Sequence, residues 1–176
     1  AARKAVVLLV DIKDSSGNVH SVSADCDGAA VKSAGIMFGT QTTAANVDGC
    51  YQDSSYGALG FGGASYPGSA LDVARVTVNE AAAIGGVCNY SAWGAAADKA
   101  ATGVTRGNYQ HRVYVLPSNV GCSWAGLAYV GCGNSCQAWV KAYSGQACGY
   151  NDAYAHEIGH NLGMWHASTD TNNDGT

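Results

Sequence analysis

The chain has 176 residues, a formal net charge of −4 and 12% charged residues, where an average globular protein has about 25%. Its nine lysines and arginines form no basic stripe that would neutralise phosphates, which argues against nucleic acid as a partner. The longest apolar run covers residues 5–10, far short of the roughly 18 residues that cross a bilayer, which excludes a membrane span.

Five strands are predicted along the chain. Residues 4–12 form an apolar, β-branched run that is typical of a strand buried on both faces. The other four are predicted from alternation and β-branched composition at residues 71–79, 111–117, 124–130 and 137–143. Apolar residues at near-helical spacing fall within 43–54, and the glycine-rich tract that follows at 57–68 predicts a loop.

Two helices are predicted in the second half of the chain. Ser91 is a suitable N-cap for a helix whose apolar stripe consists of Trp93, Ala96, Ala97, Ala100 and Val104. The last helix is predicted at 152–162, with Asn151 or Asp152 as its cap and Gly163 at its end.

The alternation of these elements predicts the fold class. Strands alternate with helices, and no linker divides the chain. We therefore expect a single domain over residues 1–176, with an α/β fold. Its core is a mixed, mostly parallel, five-stranded twisted sheet, with one backing helix and one helix that carries the site described below.

Seven cysteines are spread along the chain rather than grouped in pairs: Cys26, Cys50, Cys88, Cys122, Cys132, Cys136 and Cys148. This favours disulfides in an oxidising compartment over reduced core thiols, although the spacing of Cys132 and Cys136 also permits metal binding. Because the number is odd, one sulfur is free or has its partner outside this sequence, and the pairing cannot be deduced. The chain opens on Ala1 without an initiator Met or a signal-peptide pattern, so we expect a processed, secreted product.

The strongest motif lies on the last predicted helix, where residues 156–166 read HExxHxxGxxH. Residues four apart share one helix face, so His156 and His160 can offer two imidazole nitrogens to one ion. Gly163 permits a left-handed turn that brings His166 round as the third ligand. Three neutral imidazoles favour zinc and leave a fourth position for water, whose proton Glu157 is placed to take.

This motif has two other interpretations. The helix could be an ordinary core helix with three hydrogen-bonded histidines. The zinc site could also be assembled but not used in catalysis. His20 and His111 have no partners at ligand spacing, and we expect them in surface or core roles.

The wider context of the motif resembles a known family. The segments HEIGHNLGMWHA, HRVYVLP, CSWAGLAYVGC and DGCYQDSSYG together resemble the gametolysin family of algal secreted proteases, within the metzincin clan, over nearly the whole chain. Adamalysin-type proteases share the HNLGM stretch but carry an Asp directly after the third His, where this chain has Ala167. The resemblance implies a metzincin-like fold of the α+β zincin type.

The resemblance also implies roles for individual residues. His156, His160 and His166 would be the zinc ligands and Glu157 the general base. An edge strand would bind an extended substrate through its main chain; its residues are Ala125, Gly126, Leu127, Ala128 and Tyr129. The other interpretation of this stretch is an ordinary half-buried strand.

The function implied by the resemblance is that of a secreted zinc endopeptidase. Its substrates would be Pro- or Hyp-rich glycoproteins of the extracellular matrix or cell wall. The alternative function is a catalytically silent metzincin-fold domain with a structural or binding role in an extracellular glycoprotein assembly.

Metzincins have a Met-containing turn well downstream of the third His, and only ten residues follow His166. Met164 lies inside the zinc motif and cannot be that residue. We therefore expect residues 1–176 to form the N-terminal subdomain through the zinc motif. Either the rest belongs to a longer precursor or to a processed C-terminal chain, with a disulfide from the odd cysteine as the link, or the sequence is a fragment.

Two smaller motifs are also present. Asp170, Asn172 and Asp174 match the opening of a calcium-binding loop, and the other interpretation is a polar terminal turn. Asn89 begins an N-glycosylation sequon, Asn-Tyr-Ser, just before a predicted helix.

Overall fold

The structure is a computed structural model that describes residues 2–22, 46–65, 72–142 and 151–166. Its strands are β1 (Ala2–Lys13), β2 (Val19–His20), β3 (Gly60–Gly62), β4 (Asp72–Asn79), β5 (His111–Leu116), β6 (Gly126–Ala128) and β7 (Cys136–Lys141). Its helices are α1 (Val47–Ser54), α2 (Tyr90–Ala100) and α3 (Asn151–Asn161), with short 3-10 turns at Ile84–Gly86 and Arg106–Asn108. Within these ranges no helix is long and apolar enough to span a membrane.

The described strands form one open, mixed sheet. Strand β1 pairs in parallel with β3, β4 and β5 and antiparallel with β2. Strand β5 pairs in parallel with β7, and β7 pairs antiparallel with β6, which lies at one end of the order β2-β1-β5-β7-β6. The expected α/β class with a mixed, mostly parallel sheet is confirmed, and it agrees with a zincin-type fold.

The structure adds two short strands to the five that were predicted. Strand β2 pairs with the end of β1, and β3 pairs with its start. The prediction that 57–68 is a loop is wrong at β3, because pairing with β1 places this Gly-Phe-Gly segment in the sheet, with Phe61 buried. The strand predicted at 124–130 is regular only over β6.

Helix α2 differs in detail from its prediction. Its N-cap is Asn89 rather than Ser91, and the Asn89 side-chain amide donates to Glu80 Oε2 (2.7 Å) instead of capping the helix. Trp93 and Ala97 are buried as expected, but Ala100 is exposed. The helix ends at Ala100, since Ala101 has a non-helical backbone conformation. The predicted apolar stripe of the helix therefore does not extend to Val104.

The sheet separates two hydrophobic cores. Strand side chains alternate between the faces, so Val7 and Leu9 of β1 face one core while Val6 and Leu8 face the other. Helices α1 and α3 cover the first face, and α2 covers the second. The prediction that β1 is buried on both faces is confirmed.

Four of the five cysteines in the described ranges form disulfides. Cys88 pairs with Cys122, and Cys132 pairs with Cys136. The alternative in which Cys132 and Cys136 bind a metal is therefore wrong for this structure. Cys50 is a half-buried free thiol. Cys26, Cys148 and the proposed calcium ligands Asp170, Asn172 and Asp174 lie outside the described residues.

Helix α2 approaches the sheet closely because Gly94 has no side chain. A Cβ added at Gly94 would lie 2.9 Å from Nε1 of Trp139, a buried residue of β7. We expect Gly94→Ala to destabilise the protein by about 1–3 kcal/mol through overpacking, although Ala favours helix. Gly107→Ala is the control, because its Cβ meets no atom within 4 Å. Equal unfolding free energies of the two variants, measured by denaturant titration, would contradict this prediction.

Candidate active site

Helix α3 carries the predicted motif and ends as expected. Gly163 has a φ of +98°, in the left-handed region that favours glycine. The amide of Met164 donates to the carbonyl of Gly159 (2.9 Å), and that of Gly163 donates to the carbonyl of His160 (2.8 Å). These two bonds form the Schellman motif, which terminates a helix and reverses the chain. His166 is thereby brought back to the last two turns of α3.

The three motif histidines meet at one point. Nε2 of His156 lies 3.0 Å from Nε2 of His166, and Nε2 of His160 lies 3.1 Å from each of the other two. Zinc binds imidazole nitrogen at about 2.0–2.1 Å. That bond length exceeds the distance from each of the three nitrogens to the centre of their triangle, so one ion above the centre can contact all three. The donor set and its spacing therefore fit zinc.

A hydrogen bond to one motif histidine and the pKa of another suit these side chains to metal binding. Nδ1 of His160 lies 2.7 Å from the carbonyl oxygen of Met164, which only accepts, so this nitrogen carries the proton and Nε2 is left free. Desolvation, together with the nearby His160 and His166, lowers the pKa of His156. Metal ligation requires this neutral form.

Glu157 projects from α3 toward the edge strand and is 5% exposed. Burial raises the pKa of its carboxyl, and the neighbouring His160 opposes the rise. A Cβ added at Gly126 would lie 2.5 Å from Oε1 and 2.8 Å from Cδ of Glu157. Gly126 therefore provides the space that the Glu157 carboxyl occupies, a role that sequence reasoning missed because the two residues are 31 positions apart.

A cleft of about 690 Å³ runs between the edge strand and α3. Its lining includes all four of His156, Glu157, His160 and His166, and four of the five predicted edge residues: Ala125, Gly126, Leu127 and Ala128. The fifth, Tyr129, places its ring against Trp139, 5.7 Å between centroids, on the face of the sheet that α2 covers.

The edge strand has one free side among the residues that the structure describes, since β7 is the strand that pairs with it there. The carbonyl of Ala125 accepts from the backbone amide of Lys141, and the amide of Tyr129 donates to the carbonyl of Gln137. The odd-numbered residues of the edge strand therefore bond to β7. Because bonding direction alternates along an antiparallel strand, the main-chain groups of Gly126 and Ala128 point to the free side. The arrangement can accept an additional extended strand.

His111 is fully buried on β5, as the core interpretation predicted. Its Nδ1 lies 3.2 Å from Oδ1 of Asn161, at the end of α3. Among the described residues its Nε2 has no hydrogen-bond partner. Burial lowers the pKa of His111 to about 4, partly opposed by the bond to Asn161. The ring is therefore neutral in the folded protein at neutral pH.

The predicted glycosylation site is accessible. Asn89 is exposed at the N-terminus of α2, and Ser91 of its sequon is exposed two residues further on. Modification of Asn89 stays a prediction.

The chain is similar to known proteins in two comparisons. The family model described as gametolysin peptidase M11 matches residues 6–175. Autolysin of Chlamydomonas reinhardtii is 38% identical over 63 residues, which make up 35% of this chain. The matched stretch spans 10% of the length of that relative.

The buried His111 predicts a loss of stability in acid. Its pKa is about 6.5 in the unfolded chain and about 4 in the folded protein, so its contribution is complete above pH 6.5 and is lost as the pH falls toward 4. The loss amounts to about 3 kcal/mol. We expect wild type to lose more unfolding free energy than His111→Gln between pH 7 and pH 4 in denaturant titrations. Identical losses in both proteins would show that His111 does not carry this dependence.

Proposed function

The chain belongs to the gametolysin peptidase M11 family, and we propose that it is a zinc-dependent endopeptidase whose catalytic base is Glu157. The observation that carries the proposal is the triangle of three Nε2 atoms, 3.0–3.1 Å apart, which shares one cleft with a buried glutamate. A purely structural metal site makes no demand on a carboxylate at that position.

His156, His160 and His166 would hold the zinc ion. When bound, zinc supplies Lewis-acid chemistry by polarising the scissile carbonyl and making water more acidic. Glu157 takes the proton of the attacking water and then delivers it to the leaving amine. Its partly water-excluded position between α3 and the edge strand strengthens its interaction with the reacting groups.

The free side of β6 would bind the substrate main chain. An extended peptide would pair with the amide and carbonyl groups of Gly126 and Ala128 and so lie beside the histidine triad. The small side chains of Ala125, Gly126 and Ala128 leave the cleft open to a peptide of variable sequence.

We further propose that the protein is secreted and acts on Pro- or Hyp-rich glycoproteins of an extracellular matrix or cell wall. Family membership supports this, and so does the name autolysin of the matched relative. The disulfides Cys88–Cys122 and Cys132–Cys136 support an oxidising compartment.

The role of Glu157 is tested with Glu157→Gln, which keeps the shape of the side chain but removes the base. We expect the variant to bind one zinc ion per chain, as wild type does, and to lose at least about 100-fold in turnover of an unfolded protein substrate. A chelator should abolish wild-type cleavage, and added zinc should restore it. Near wild-type turnover by the variant would remove Glu157 from the mechanism. No cleavage by zinc-loaded wild type would favour the structural alternative.

Gly126→Ala tests whether the position of the Glu157 carboxyl matters. The added methyl group would displace that carboxyl, and a displacement of about 1 Å can cost roughly 100-fold in rate. We expect zinc content to be unchanged and turnover to fall substantially, while Gly107→Ala retains both. A fully active Gly126→Ala would mean that the carboxyl tolerates the shift.

A further inference from the structure

Asn161 follows His160 directly and is the last residue of α3, yet it points into the protein and is only 3% exposed. Its side-chain amide nitrogen donates to the carbonyl of Tyr129 (2.9 Å) and to the carbonyl of Gln137 (3.0 Å). The first carbonyl directly follows β6, and the second belongs to β7. One amide group therefore ties the metal-binding helix to both strands.

The orientation of this amide is determined by its partners. Two carbonyl oxygens require the NH₂ group on their side, so the amide oxygen must face His111. Because that oxygen can only accept, Nδ1 of His111 donates to it. All three contacts of the buried amide are satisfied, which makes its position well defined.

Strand β6 needs such support because it has three residues and, in the described ranges, one neighbouring strand. So short a ladder holds a strand weakly. A second bond from α3 acts at the same place, since the amide of Gly131 donates to the carbonyl of His160 (2.9 Å). The segment after β6 is thus attached to two consecutive residues of α3.

We propose that Asn161 is a positioning residue that sets the separation and register between the edge strand and the metal-binding helix. This inference rests on the proposed function. In that function Asn161 aligns a peptide bound along β6 with the reaction centre. The same helical turn then supplies both a zinc ligand, His160, and the anchor of the substrate-binding strand.

Asn161→Ala tests the proposal by removing both donors. We expect the KM of an extended peptide to rise about 10-fold, in line with the loss of two buried hydrogen bonds. The kcat/KM of a blocked dipeptide too short to follow β6 should change little. The control is Leu162→Ala, which truncates a neighbouring, partly buried residue of the same core and leaves the amide contacts intact. Leu162→Ala should lower the stability of the protein without changing the ratio of the kcat/KM values of the two substrates.

Amide hydrogen exchange provides a measurement that needs no activity. In Asn161→Ala the amides of Tyr129 and Gly131 should exchange faster by about 10-fold. The amide of Leu162, which bonds to Ile158 (3.0 Å), should keep its protection. If the proposed peptidase activity is absent, hydrogen exchange still tests whether Asn161 holds the edge strand.

The outcomes separate the interpretations. An equal loss of kcat/KM on both substrates would show a merely structural role and overturn the proposal. Equal acceleration of amide exchange in the edge segment and in α3 would do the same. If Asn161→Ala does not fold, Asn161→Gln replaces it, because the longer side chain keeps the donors but shifts them. That variant must then show the same selective rise in KM, and a wild-type KM would overturn the proposal.

Discussion

The chain reversal at Gly163 is the constraint on which the site depends. A helix can place His156 and His160 on one face, but two imidazoles make a weak site and the third must come from outside the helix. The left-handed backbone of Gly163 terminates α3 and returns His166 to the same face. The carbonyl of Met164, inside this turn, also orients the ring of His160.

Close approach between elements then determines what the triad can do. Helix α3 packs against a strand that has no side chain at Gly126, so the Glu157 carboxyl lies between helix and strand beside the cleft. Burying a carboxylate costs free energy, which is expressed as the raised pKa of Glu157. Such a cost at a position beside three clustered histidines is typical of a site arranged for chemistry rather than for stability.

The opposite face of the sheet packs closely against the strand that supports the edge strand. Strand β7 lies between the edge strand and the core of the sheet. Its Trp139 packs against α2 at Gly94 and against the ring of Tyr114. Asn161 joins this support from the other face through the carbonyl of Gln137. The motif histidines, Glu157 and the edge strand are therefore held by one continuous set of contacts from α2 to α3.

The sequence by itself determined the local features: the five main strands, the last helix, its end at Gly163 and the three histidines and the glutamate that we propose as ligands and base. These follow from periodicity and from spacings within eleven residues, which backbone geometry translates directly into structure. Tertiary structure alone decided the pairing of Gly60–Gly62 with β1, the disulfide partners, the space at Gly126 for Glu157 and the bonds of Asn161 to Tyr129 and Gln137. These contacts join residues far apart in the chain, and no local pattern encodes them, because they depend on how the sheet brings separate segments together.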